Sequence, residues 1–130
     1  MINEQLIQII RDYETLKYNI QPVIISNITK YINLHMNDKL SCESVSKYFK
    51  YHPNYLNRMF RKTTGMTLHQ YIMRLKIQYA TELLLQTDMP ITDIALQLSF
   101  YDSSHFSNIY IKYTGVSPTK YRKQKDGVEE

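Results

Sequence analysis

The chain has 130 residues with 16 Lys+Arg against 12 Asp+Glu, a net charge of +4, which bounds it to one or two very small domains. A single cysteine excludes an intrachain disulfide and a thiolate zinc cluster. The apolar runs are far too short for a membrane span, and Met1-Ile2-Asn3-Glu4-Gln5 lacks the basic start and apolar core of a signal peptide. A cytoplasmic protein is expected.

From the N-terminus, Leu6, Ile9, Ile10, Tyr13, Leu16 and Ile20 share one face at helical spacing. They predict an amphipathic linker helix over 1–21 that lies ahead of the rest. Pro22 suits the first turn of a new helix, whose apolar period runs through Ile24, Ile25, Ile28, Tyr31, Ile32, His35 and Met36 and ends at Asn37-Asp38-Lys39. Ser41 is the N-cap expected for a helix from Cys42 to Lys50, with Glu43 in its first turn and Val45, Tyr48 and Phe49 on its inner face. Pro53 disfavours a helical His52 and opens the next helix, to Thr64, with Leu56, Met59 and Phe60 inward and Gly65 as its left-handed stop.

Thr67 is expected to cap the longest helix, Leu68 to Gln86, which at about 19 residues spans roughly 28 Å. After the break at Thr87-Asp88-Met89-Pro90, Ile91, Ile94, Ala95 and Leu98 form one inward face. Ser99-Phe100-Tyr101-Asp102 turns the chain. Asp102 or Ser103 then caps a helix with Phe106, Ile109, Tyr110 and Tyr113 inside, ended by Gly115. Ser117 caps a last short helix with Pro118 at its first position, and 125–130 is expected to be a flexible tail. The fold class predicted is all-α.

The second half repeats the first. Met59-Phe60-Arg61-Lys62-Thr63-Thr64-Gly65-Met66-Thr67 has its counterpart fifty residues on in Ile109-Tyr110-Ile111-Lys112-Tyr113-Thr114-Gly115-Val116-Ser117, and Tyr71 pairs with Tyr121. Upstream the offset falls to forty-nine, Ser46 matching Ala95 and Phe49 matching Leu98, so the turn between the two short helices differs by one residue. Each repeat is thus a tight helix pair, with a small residue where the helices would cross closely and a polar second helix.

That pattern suits a helix-turn-helix, whose first helix braces on phosphates while the second enters the major groove. In the first pair Asn54, Asn57, Arg58 and Arg61 face away from the apolar side. Asn pairs with adenine and Arg with guanine through two hydrogen bonds each, while Arg61 and Lys62 are placed for phosphates. In the second pair Ser103, Ser104, His105, Ser107 and Asn108 face outward, a set with fewer long donors and more permissive reading. Lys112, Lys120 and Arg122 are expected on the DNA backbone. Residues 41–125 carry 12 Lys+Arg against 5 Asp+Glu, a bias that fits a polyanion. Major-groove faces on one side of B-DNA recur about 34 Å apart, so a connecting helix of roughly 28 Å with its end turns is a suitable spacer.

Together these residues resemble the DNA-binding domain of the AraC/XylS family of bacterial transcription regulators. The likeness rests on Leu40-Ser41, Tyr55-Leu56, Arg58, Phe60-Arg61-Lys62 and Gly65, on Tyr71, Ala80 and Leu83-Leu84, and on a second set. That set is Ile91, Ile94-Ala95, Phe100, Asp102, Ser104, Phe106-Ser107, Lys112, Thr114-Gly115, Ser117-Pro118 and Tyr121-Arg122. Departures are Ser99 where the family usually has Gly, Ile111 where Lys is common, and Ser46 for the usual Ala. The resemblance implies a domain over 22–124 with two helix-turn-helix subdomains, about 41–65 and 90–115, joined by a long central helix at about 67–86. Its implied partners are double-stranded promoter DNA and RNA polymerase. Most members of that family carry a separate sensing or receiver domain, so the chain is expected to be either the output part of a longer regulator, with such a domain N-terminal to it and outside this sequence, or a protein that acts alone, the first being favoured.

Other classes fit less well. His35, His52, His69 and His105 are scattered, without metal-ligand spacing, and adjacent Ser104 and His105 diverge on one helix, so no catalytic residue, cofactor or metal is expected. The alternative is a helical protein–protein adaptor, which would account for the apolar stripes but not for the basic bias of the second helices.

Overall fold

The computed structural model describes residues 4–125, and for 12–21 the backbone alone. Seven helices follow one another among the described residues: α1 (Glu4–Leu34), α2 (Cys42–Phe49), α3 (Pro53–Thr64), α4 (Leu68–Gln86), α5 (Ile91–Gln97), α6 (Ser103–Thr114) and α7 (Pro118–Lys125). None of them is long and apolar enough to cross a membrane.

Two apolar clusters organise the chain. The first gathers Ile25, Ile28 and Ile32 of α1, Val45 of α2, Leu56 and Phe60 of α3 and Leu68 and Ile72 of α4. The second gathers Ile77, Ala80 and Leu84 of α4 with Ile94, Leu98, Phe106 and Tyr110. The connecting helix therefore supplies one wall of each core, and Tyr79 packs against both. A hydrogen bond between Thr81 Oγ1 and the Tyr110 hydroxyl, 2.8 Å, fixes α6 on α4. A second link crosses between the halves, where Gln97 donates to Asn37 Oδ1 at 2.8 Å.

The internal repeat is a repeat of hydrogen bonds as well as of residues. Gly65 and Gly115 both take φ 84, past the ends of α3 and α6, and their amides donate to Arg61 and Ile111. Thr64 Oγ1 donates to the Phe60 carbonyl at 2.6 Å, and Thr114 Oγ1 to that of Tyr110 at 2.8 Å. The Tyr51 amide reaches the Ser46 carbonyl as the Phe100 amide reaches that of Ala95. Lys50 and Ser99 adopt φ 61 and 63 at the ends of the two first helices, a left-handed conformation costing a side-chain-bearing residue about 1–2 kcal/mol. The register therefore changes after these matched positions: His52 heads α3 directly after Tyr51, whereas Tyr101 intervenes between Phe100 and the cap Asp102. Tyr101 is the extra residue, and it is 90% exposed.

Three expectations are corrected. No new helix begins at Pro22: α1 is continuous, with Pro22 inside it. Proline removes one main-chain bond there, but its fixed φ is compatible with a helix, its ring is exposed, and Ile25 and Ile28 just beyond are anchored in the first core. Tyr48, expected inside, is 62% exposed and stacks on Tyr31 with centroids 4.2 Å apart. Tyr113 is likewise exposed on α6. The expected tail beyond Lys125 lies outside the described residues.

Candidate nucleic-acid interface

Each outward helix is held by its cap. His52 precedes α3, and its ring Nδ1 accepts the Asn54 amide at 3.1 Å. Asp102 precedes α6, and its carboxylate accepts the His105 amide at 2.7 Å. Capping at this position holds otherwise unpaired amides and fixes the entry angle of the helix. The apolar side of α3 is sealed by Leu56, Met59 and Phe60, that of α6 by Phe106 and Tyr110. What remains outward is polar, and neither helix contains an acidic residue.

On α3, Asn54, Arg58, Arg61 and Lys62 are exposed. A shallow concavity brings Asn54, Asn57 and Arg58 together with His52 and Tyr55. Asn57 is half-buried, and its Oδ1 accepts the His69 amide of α4 at 3.4 Å. Its carbonyl end is therefore turned toward the start of the connecting helix, which leaves the NH2 group as its outward donor. His52 and Tyr55 are not among the residues that the sequence assigns to DNA contact. The signal available was the placement of His52 immediately ahead of Pro53, a cap position.

On α6, Ser104, His105 and Asn108 are exposed, and Ser103 and Ser107 are half-buried. The Tyr101 amide donates to His105 Nδ1 at 3.4 Å, which holds the imidazole against the turn that precedes α6. The Phe100 ring stands edge-on to the imidazole with centroids 5.6 Å apart. Lys112 is exposed in the last turn of α6. Lys120 is exposed in the first turn of α7, where its amide donates to Ser117 Oγ at 3.1 Å.

Arg122 is corrected. Rather than reaching toward a phosphate, its guanidinium points into the C-terminal end of α4. Nε donates to Leu84 O at 3.3 Å, one terminal nitrogen to Met89 O, and the other to Leu83 O and Thr87 O at 3.4 and 3.2 Å. A cation at that end also meets the negative pole of the helix. Arg122 is a cap delivered from elsewhere in the chain.

The groups whose acidity burial shifts lie in the interior. Burial lowers the Lys76 ammonium from its usual range, the nearby Cys42 opposing, and raises the Cys42 thiol and the Tyr110 hydroxyl. Lys76 Nζ lies 5.7 Å from the centre of the Phe100 ring. Among the described residues no three His, Cys, Asp or Glu side chains cluster to hold a metal.

Two capped, acid-free outward helices on a common connecting helix define a tandem helix-turn-helix module. The model of a helix-turn-helix domain family matches residues 45–124. The chain is 34% identical over 110 residues to the HTH-type transcriptional activator AarP of Providencia stuartii, covering 85% of this chain and 82% of that one. It is 34% identical over 99 residues to the melibiose operon regulatory protein of Escherichia coli K12, covering 76% of this chain and 33% of that one. Among solved structures, the C-terminal domain of AraT, a response regulator from Geobacillus stearothermophilus, superposes with a TM-score of 0.71 at 32% identity, covering 78% of this chain and 84% of that one. The DNA-binding domain of AdpA shares the fold, with a TM-score of 0.71 at 19% identity over 78% of this chain and 92% of that one. The chain belongs to the AraC/XylS family of DNA-binding transcription regulators. Its coverage of relatives varies widely: it spans 82% of AarP but only 13% of the regulator YtdP of Bacillus subtilis, to which it is 31% identical.

Proposed function

We propose that residues 22–124 read double-stranded promoter DNA with α3 and α6 in two successive major-groove segments. The observation that carries this reading is the matched pair of capped helices, alike down to the φ of the closing glycine, at the two ends of a 19-residue helix. The AdpA domain, alike in fold, was solved in complex with a target DNA. Asn54, Asn57 and Arg58 are the base readers of α3, while Ser103, Ser104, His105, Ser107 and Asn108 form the more permissive set on α6. Arg61, Lys62, Lys112 and Lys120 take the phosphates; Arg122 is left out of that set. The function is regulatory and carries no catalytic step.

The chain acts as the output part of a longer cytoplasmic regulator, joined to an N-terminal sensing or receiver domain and working on RNA polymerase. Supporting this is the small fraction of YtdP and of the melibiose regulator that it spans. The decisive experiment selects bound duplexes from a random pool and then titrates salt. Two short blocks one helical turn apart, with affinity falling steeply as salt rises through counterion release, are the expected result. A flat salt response with no selected sequence would favour the helical adaptor.

A further inference from the structure

Among the described side chains, the first core draws on α1 from Ile24 onward. Upstream, Leu6, Ile9, Ile10 and Val23 are 52, 63, 49 and 59% exposed. Their spacing has an order that a solvated helix does not need. Leu6, Ile9, Tyr13, Leu16, Ile20 and Val23 follow one another in alternating steps of three and four, the a and d positions of a coiled coil. All six lie on one continuous helix. Ile10 falls at the e position beside the seam, and Pro22 at c, away from it. The next positions in the pattern are Asn27 and Lys30, so the apolar seam stops where Ile25 and Ile28 turn the helix toward its own core. A helical segment of this length is marginal in water by itself, and apolar side chains exposed as Leu6, Ile9 and Val23 are stay solvated unless something covers them.

We propose that α1 pairs in parallel with α1 of a second copy of this chain, forming a short two-stranded coiled coil over residues 6–23. A three-four stripe is self-complementary, so one face serves both copies, as a twofold interface requires. Charge sets the direction. Asp12 falls at a g position and Lys17 at the e position of the following heptad, and in a parallel pair these positions meet across the seam, one such opposite pair on each side. An antiparallel pair matches g with g and e with e. The g positions are Gln5, Asp12 and Asn19 and the e positions Ile10, Lys17 and Ile24, so that arrangement joins no opposite charges. The pairing follows from α1 alone and does not depend on DNA binding.

The test is sedimentation equilibrium on the full 130-residue chain at micromolar concentration, beside Ile9→Asp, with thermal unfolding followed in parallel. The wild type is expected at twice the monomer mass, and Ile9→Asp at the monomer mass with the unfolding of its two cores retained. Direction is read separately with oxidised glutathione in a Cys42→Ser background: Ile9→Cys is expected to link two copies, and Arg11→Cys, at the outward f position, is not. A monomeric wild type, a dimer that survives Ile9→Asp, or a dimer that Ile9→Cys fails to link would each overturn the proposal.

Discussion

The Arg122 Nε donates to the Leu84 carbonyl oxygen, a contact between residues 38 apart in the chain. With its companions to Leu83, Thr87 and Met89 it ties the last helix to the end of the connecting helix. Charged hydrogen bonds of this kind contribute about 1.5–3 kcal/mol each at most and are not additive. Arg122→Ala is therefore expected to lower stability by about 2–3 kcal/mol in urea denaturation. The salt dependence of DNA affinity should stay as in the wild type. A reduced salt slope would restore Arg122 to the phosphate contacts.

Arg58 and Lys112 are expected to fail differently. Arg58→Ala should cost about 1–3 kcal/mol on the selected duplex and relax preference at one base pair. Lys112→Ala should weaken all duplexes alike and reduce the salt slope by about one. Competition binding against selected and random duplexes distinguishes them, and an equal loss on both for Arg58→Ala would remove it from the base-reading set.

Ser46 is buried with no partner for its hydroxyl among the described residues, while Ala95 fills the matching place in the second unit. A buried unpaired hydroxyl costs about 1–3 kcal/mol, so Ser46→Ala should raise the urea midpoint, by about 1 kcal/mol of stability once the lost contacts are counted. A destabilised variant would mean that the hydroxyl is satisfied in solution.

Lys76 gives the chain a pH signature. Burial lowers its folded value below the usual 10.5, so between the two values the unfolded chain holds more protons and stability from this residue rises with pH. Cys42 and Tyr110 work the other way, since burial raises both and their contributions fall above 9.0 and 10.0 respectively. Lys76→Met should accordingly be more stable than wild type at neutral pH, by a margin that narrows as pH approaches 10.5. Denaturation of the two proteins across that range checks it, and a constant margin would contradict the sign.

Local chemistry was legible wherever the sequence encodes it locally. Thr67 caps α4 through the Gln70 amide, Asp102 caps α6, and Gly65 and Gly115 stop their helices, each marked by residue type at a fixed offset. The fifty-residue repeat fixed the pairing of elements. Contacts distant along the chain were not legible. Arg122 carries the same charge as Lys112, and only packing reveals that its donors meet carbonyls more than thirty residues away. Asn57 is similar, its oxygen held by an amide twelve residues on. Pro22 misled for a different reason: its compatibility with a first turn is equally a compatibility with an interior turn, and the residues that hold α1 together lie beyond it.

The Tyr79 ring packs against both apolar clusters, and Ile72 and Ile77, little more than one helical turn apart, belong to different ones. Both cores draw on α4, so unwinding that one helix would expose side chains of each, and the integrity of either core depends on the connecting helix staying intact.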